Sequence, residues 1–147
     1  MKFKFPLQTV LRYRKTLENL AQRDFQEALG ELNFQKSILQ EMDEAKAQAR
    51  QNAFQTQVRG GQATASLVQV EDYLKGQDVR LTHQRAKIQE IEKRVEELRE
   101  ILRTKAIDYK IIEGLKDKRQ QEFRQEQNKI EQKRTDENNV MRFRRKE

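Results

Sequence analysis

The stretch LVQVEDYLKGQDVRLTHQRAKIQEIEKRVEELREILRTKAIDYKIIEGLKDKRQQEFRQEQNKI, residues 67–130, decides the fold. Counting in sevens from Leu67 gives Leu74, Leu81, Ile88, Val95, Leu102, Tyr109, Lys116, Phe123 and Ile130. Only Lys116 breaks the series, and Leu115 sits beside it. A second row three residues on contributes Val70, Ile91, Leu98 and Ile112, with Gln77, Gln84, Lys105 and Arg119 between them. A seven-residue apolar repeat held without a stutter keeps one stripe of a helix turned to a partner as the two supercoil left-handed. The remaining sequence must say what that stripe packs against.

Composition agrees with a long, thin helical object. Of 147 residues, 35% are hydrophobic and 37% charged, with one Pro and no Trp. A compact globule of this length would want a thicker apolar core, whereas a helix pair needs only a stripe. Disorder is the alternative for so polar a chain. The unbroken period argues against it, because random polar sequence does not keep phase.

The same composition excludes most chemistry. No Cys means no disulfide, thiol catalysis or thiolate metal site. His83 is the single histidine and cannot build a metal cluster alone. No run of about 18 apolar residues is present to span a membrane. The opening MKFKFPLQTVL has too short an apolar stretch for a secretory signal, so a reducing cytoplasm is the expected compartment. RGGQATAS, residues 59–66, lacks the Gly-x-x-x-x-Gly-Lys-Ser/Thr spacing of a phosphate loop. Carboxylate pairs such as Glu96-Glu97 and Asp136-Glu137 read as solvated, and a thin helix pair offers no concave pocket. Neither catalysis nor a cofactor is expected.

The net charge of +7 is modest against 31 basic and 24 acidic groups. Acid and base interleave, as in EIEKRVEELRE at 90–100, which reads as a salt-bridged surface. Only RFRRKE at 142–147 concentrates positive charge, and cations also suit a helix C-terminus on dipole grounds. A nucleic-acid-binding rod is therefore a minor alternative, with no aromatic stacking face to support it.

From the start, Met1–Phe5 reads as an extended lead-in, with Pro6 in the first turn of a helix. The apolar positions Leu7, Val10, Leu11, Leu17, Ala21, Phe25, Ala28, Leu32, Leu39, Met42, Ala49 and Ala53 are spaced three and four apart. Phe25, Leu32 and Leu39 keep the seven-residue phase, and towards Ala45–Ala53 the stripe thins to alanine. Gly60-Gly61 then breaks the pattern, and Thr64 or Ser66 is placed to cap a new helix, with Glu71 and Asp72 in its early turns. A mid-rod Gly-Gly would cost about 2 kcal/mol of helix propensity, which favours a bend over one continuous rod. The reading is an all-α fold, an antiparallel two-helix coiled coil over 1–147. Its helices span about 6–57 and about 66–140, joined by a turn at about 58–65.

The two arms are unequal, roughly 75 Å and roughly 110 Å at the helical rise. Folding at Gly60-Gly61 pairs residues whose numbers sum to about 121. Leu32 then meets Ile88–Ile91, Phe25 meets Val95, and Leu11 meets Tyr109–Lys110. Beyond about Lys118 the second helix should overhang, leaving Phe123, Ile130, Val140, Met141 and Phe143 without an intrachain partner, a surface that another molecule would cover.

Residues 3–25, FKFPLQTVLRYRKTLENLAQRDF, resemble the opening of the flagellar export protein FliJ family, with Phe5, Leu7, Val10, Leu11, Tyr13, Arg14 and Glu18 carrying the match. IIEGLKDKRQQEF at 111–123 and EQKRTDE at 131–137 are similar to that family's closing segments, and unequal antiparallel arms fit its fold. The resemblance implies a cytoplasmic component of the flagellar type III export apparatus, held at the inner membrane through partners. It implies a coiled-coil stalk like that of a rotary ATP synthase, inserted in the hexameric export ATPase FliI. It also implies contact with the export gate protein FlhA and help in delivering export substrates or their chaperones. On this resemblance Leu7, Leu11, Arg14, Glu113, Leu115, Phe123 and Ile130 are the candidate ATPase contacts, and Tyr73 and Leu74 the candidate gate contacts. A generic hairpin adaptor or chaperone is the rival class, separable by whether a cognate ATPase is stimulated.

Overall fold

A computed structural model describes residues 2–58, 60 and 64–146, with the backbone alone for 64–66. Two helices account for nearly all of it, α1 over Gln8–Val58 and α2 over Thr64–Lys146. No strand occurs among the described residues, and the two helices pack against each other as an all-α hairpin. Gly61 and the capping side chains of Thr64 and Ser66 lie outside the described residues.

The start of α1 differs from expectation by two residues, for a local reason. The Gln8 amide donates to the Phe5 carbonyl at 3.1 Å, closing a turn that holds Pro6 at its second position. That position wants the backbone angle the proline ring enforces. At the other end α2 runs to Lys146 rather than about Val140. Arg144, Arg145 and Lys146 fill its last turn, where positive charge offsets the partial negative charge of the helix end.

Packing divides the chain into two units, to each of which both helices contribute: Met1–Leu20 with Arg103–Glu147, and Ala21–Leu102. In the second, Leu32, Ile88 and Val95 form a buried cluster with Phe25, Ala28, Leu29, Leu39 and Ile91 against it. Leu81 is the most enclosed large side chain among the described residues, 1% exposed. Ion pairs cross between the helices from Lys36 to Glu92 at 3.7 Å, from Asp43 to Arg85 at 3.7 Å, and from Lys46 to Asp78. The Lys46 hydrogen bond, with the nearby charges of Arg50 and Arg85, holds the Asp78 carboxyl below its usual range against the opposing effect of desolvation. In the first unit Phe5, Leu11 and Ile112 are buried, with Phe3, Leu7, Tyr109 and Leu115 packed on them.

Gly60 is the one described residue with a positive φ, 62°, and its amide donates to Gln57 O at 3.2 Å just past the end of α1. Only glycine adopts that left-handed conformation without a Cβ clash. Gly60→Ala should therefore destabilise the hairpin by about 1 kcal/mol. Gly30→Ala, mid-helix and with open space around the added carbon, should stabilise it by about 0.5–1 kcal/mol. Denaturant melts of the two variants check this, and opposite signs are the expected outcome.

Candidate partner-binding surfaces

Six of the seven candidate ATPase residues lie in or against the packing of the first unit. Leu11 is buried, so any part it plays in binding acts through the core it holds. Leu7 and Leu115 pack on that core and are half-exposed. The Arg14 guanidinium donates to the Asp108 carbonyl on α2 at 2.8 Å, tying the helices together. The Glu113 carboxylate bonds the Tyr109 side chain and raises its pKa, with desolvation and the carboxylates of Glu18 and Asp117 acting in the same direction. Lys15 Nζ lies 4.8 Å over the Tyr109 ring and 3.5 Å from Glu18, whose buried Oε2 accepts no hydrogen bond among the described residues. A cation over a ring face and beside a carboxylate is well placed on both counts.

Phe123 corrects the expectation of an unpaired overhang beginning at about Lys118. It is half-buried, and its ring lies 5.6 Å from that of Phe3, tilted by 48°. The two spacings of backbone explain this. Residues 2–5 precede α1, and non-helical backbone can rise up to about 3.3 Å per residue against 1.5 Å in a helix, so the lead-in reaches farther along α2 than helical counting gives. The unpaired stretch begins later: every described side chain from Asn128 to Lys146 is exposed. Ile130 is 42% exposed and Phe143 68%, with Val140 and Met141 between them in sequence.

The candidate gate residues lie in the second unit. Tyr73 is 42% exposed and, with Ala49, Asn52, Ala53, Thr56, Gln69 and Val70, lines an open groove of about 370 Å³. Leu74, on the seam, is half-buried. The groove exists because the α1 stripe has thinned to alanine there, which leaves space beside the larger side chains of α2.

Several exposed apolar groups escaped the sequence reading. Ile107 and Ile111 are exposed on α2 four residues apart. The two isoleucines fall out of phase with the seven-residue series, and that offset is the signal that would have found them. Gln35 was missed too. It fills the gap in the row Ala21, Ala28, Met42, Ala49, and it is buried.

The fold and these surfaces define a class: a helical hairpin with exposed apolar groups along both helices, and no cluster of three metal-binding side chains among the described residues. The family model described as "Flagellar FliJ protein" matches residues 3–147, and the chain belongs to that family. It is a flagellar export-associated protein, of a family that is a non-enzymatic component of export. Neither a comparison with curated proteins nor one with solved structures gave a match. No described helix is long and apolar enough to cross a membrane.

Proposed function

We propose that this chain is the stalk of the flagellar export ATPase. The end of α2 inserts in the central hole of the FliI hexamer and stimulates it, and the end near Gly60 contacts the gate protein FlhA. Through these partners it works at the cytoplasmic face of the inner membrane, assisting delivery of export substrates or their chaperones. The observation that carries the reading is the exposed stretch 128–146, a continuing helix that displays Ile130, Val140, Met141 and Phe143. Cations and carboxylates alternate along 116–134, which suits a polar, moving contact better than a permanent one, since obligate interfaces are more continuously apolar. A photo-crosslinking side chain at position 130 should capture the ATPase in flagellated cells. One at position 54, on exposed Phe54, should not. Equal capture from both positions, or none from 130, would contradict the assignment.

The gate contact rests on the groove beside Tyr73. Tyr73→Ala should weaken binding to the gate protein at least several-fold while shifting stability by no more than about 0.5 kcal/mol, as for other exposed positions. Calorimetric binding and a thermal melt measure the two effects. Unchanged affinity would discard this site.

A further inference from the structure

Two polar side chains lie buried among the described core residues, Gln35 on α1 and Gln77 on α2. Both belong to the second unit, and with half-buried Gln84 they form a cross-helix network. Gln84 Nε2 donates to the main-chain oxygen of Gln35 at 3.0 Å and to its side-chain Oε1 at 2.7 Å. Gln77 Nε2 donates to the Met42 carbonyl at 3.3 Å, and Gln35 Nε2 to Glu31 Oε1 at 2.9 Å. The donors are one heptad apart on α2, as are the acceptors on α1. Neither buried amide leaves a side-chain nitrogen or oxygen enclosed without a partner. The helix carbonyls are available because each has a second lone pair beyond its own helical bond.

Leucine at these positions would bury more apolar surface and would stabilise the pair more. What the amides add is discrimination. The apolar seam repeats every seven residues, so sliding α1 by one heptad, about 10 Å, again sets apolar rows opposite each other. A second copy of the chain could pair in the same way. The glutamines repeat on α2, as Gln77 and Gln84, but Gln35 has no counterpart one heptad away on α1. Sliding one way sets Gln35 against Ile91 in place of Gln84. Sliding the other way sets Gln84 against Ala28 but brings Gln35 opposite Gln77, so an amide pair re-forms. The first slide therefore leaves the Gln35 amide in the core without a side-chain partner, a penalised arrangement, and the second does not. A single polar side chain in an apolar seam fixes register and partner number in coiled coils by this means.

We propose that Gln35, Gln84 and Gln77 form a one-way register lock, which holds α1 and α2 of one chain against the slide that would set Gln35 on Ile91 and lowers stability in doing so. The test uses the full chain with cysteines in place of Lys36 and Glu92, exposed residues whose side chains pair at 3.7 Å. The absence of native cysteine makes spin-labelling of these sites unambiguous. Well below the melting temperature, the labelled chain should give one narrow distance and a monomer mass by light scattering. Adding Gln35→Leu and Gln84→Leu should raise the melting temperature and introduce either a second distance, displaced by about one heptad, or a dimer mass. A leucine variant that keeps one narrow distance and a monomer mass overturns the proposal, whatever its melting temperature. So does a parent chain that already shows two distances or a dimer.

Discussion

Leu81→Ala should cost about 3 kcal/mol, within the range for deleting a buried leucine side chain. For a chain of this size that corresponds to a fall of roughly 10 °C in melting temperature. The size of the effect follows from position. Leu81 is 1% exposed, and α1 narrows to small and polar side chains towards the bend, so little nearby can move in to fill the space. Val79, two residues away, is 57% exposed, and Val79→Ala should stay within about 0.5 kcal/mol of the parent. Denaturant melts of the pair followed by circular dichroism decide the matter. Equal effects would mean that the seven-residue seam is not what holds the second unit together.

The second large effect separates two residues that sequence periodicity had grouped. Phe123 and Ile130 stand seven apart and continue the same seam, so a single surface was expected. The Phe3 ring contact divides them. Phe123→Ser should lower stability by about 1–2 kcal/mol, combining lost burial with the lost aromatic pair. Ile130→Ser should change stability by no more than about 0.5 kcal/mol, being 42% exposed. Its effect should fall on the partner instead. If Ile130 is a principal apolar anchor, its loss costs about 1.4 kcal/mol of binding, which raises the half-stimulating concentration of the chain roughly tenfold. Normal stimulation by Ile130→Ser would remove this residue from the contact. A stability loss as large as that of Phe123→Ser would show that another part of the chain, or a second copy, covers it.

These two cases show what the sequence made legible and why. Periodicity alone locates Leu81, Ile88 and Val95 as core, because a heptad repeat in a helix leaves those side chains no other place to go. The bend at Gly60 gave the pairing to within a few residues: Leu32 does pack with Ile88, and Lys46 reaches Asp78. Antiparallel helices rise equally, so counting sufficed. Counting fell short at Phe3, where one partner precedes α1 in non-helical backbone, which can rise more per residue than a helix. It also missed Gln35, because an amide in an apolar row reads as a gap until its cross-helix partner is seen. The candidate binding residues divide along the same line. Leu11 and Arg14 are engaged in joining the helices, as is Phe123 in packing on the lead-in, whereas Tyr73 and Ile130 are open to a partner. Similarity of sequence marks both kinds equally, since a residue that shapes a surface and one that forms it are read alike.

The stalk reading stands or falls on one titration. Turnover of the purified, hexameric cognate export ATPase is measured as the intact chain is added, with Ile130→Ser and Phe143→Ser combined as the matched control. The combined variant should melt with the parent, because both positions are exposed. The account predicts a saturable rise in turnover with the parent chain and a response shifted to at least tenfold higher concentration with the variant, the equivalent of 1.4 kcal/mol. A flat response to the parent chain, or identical curves for the two, would contradict it.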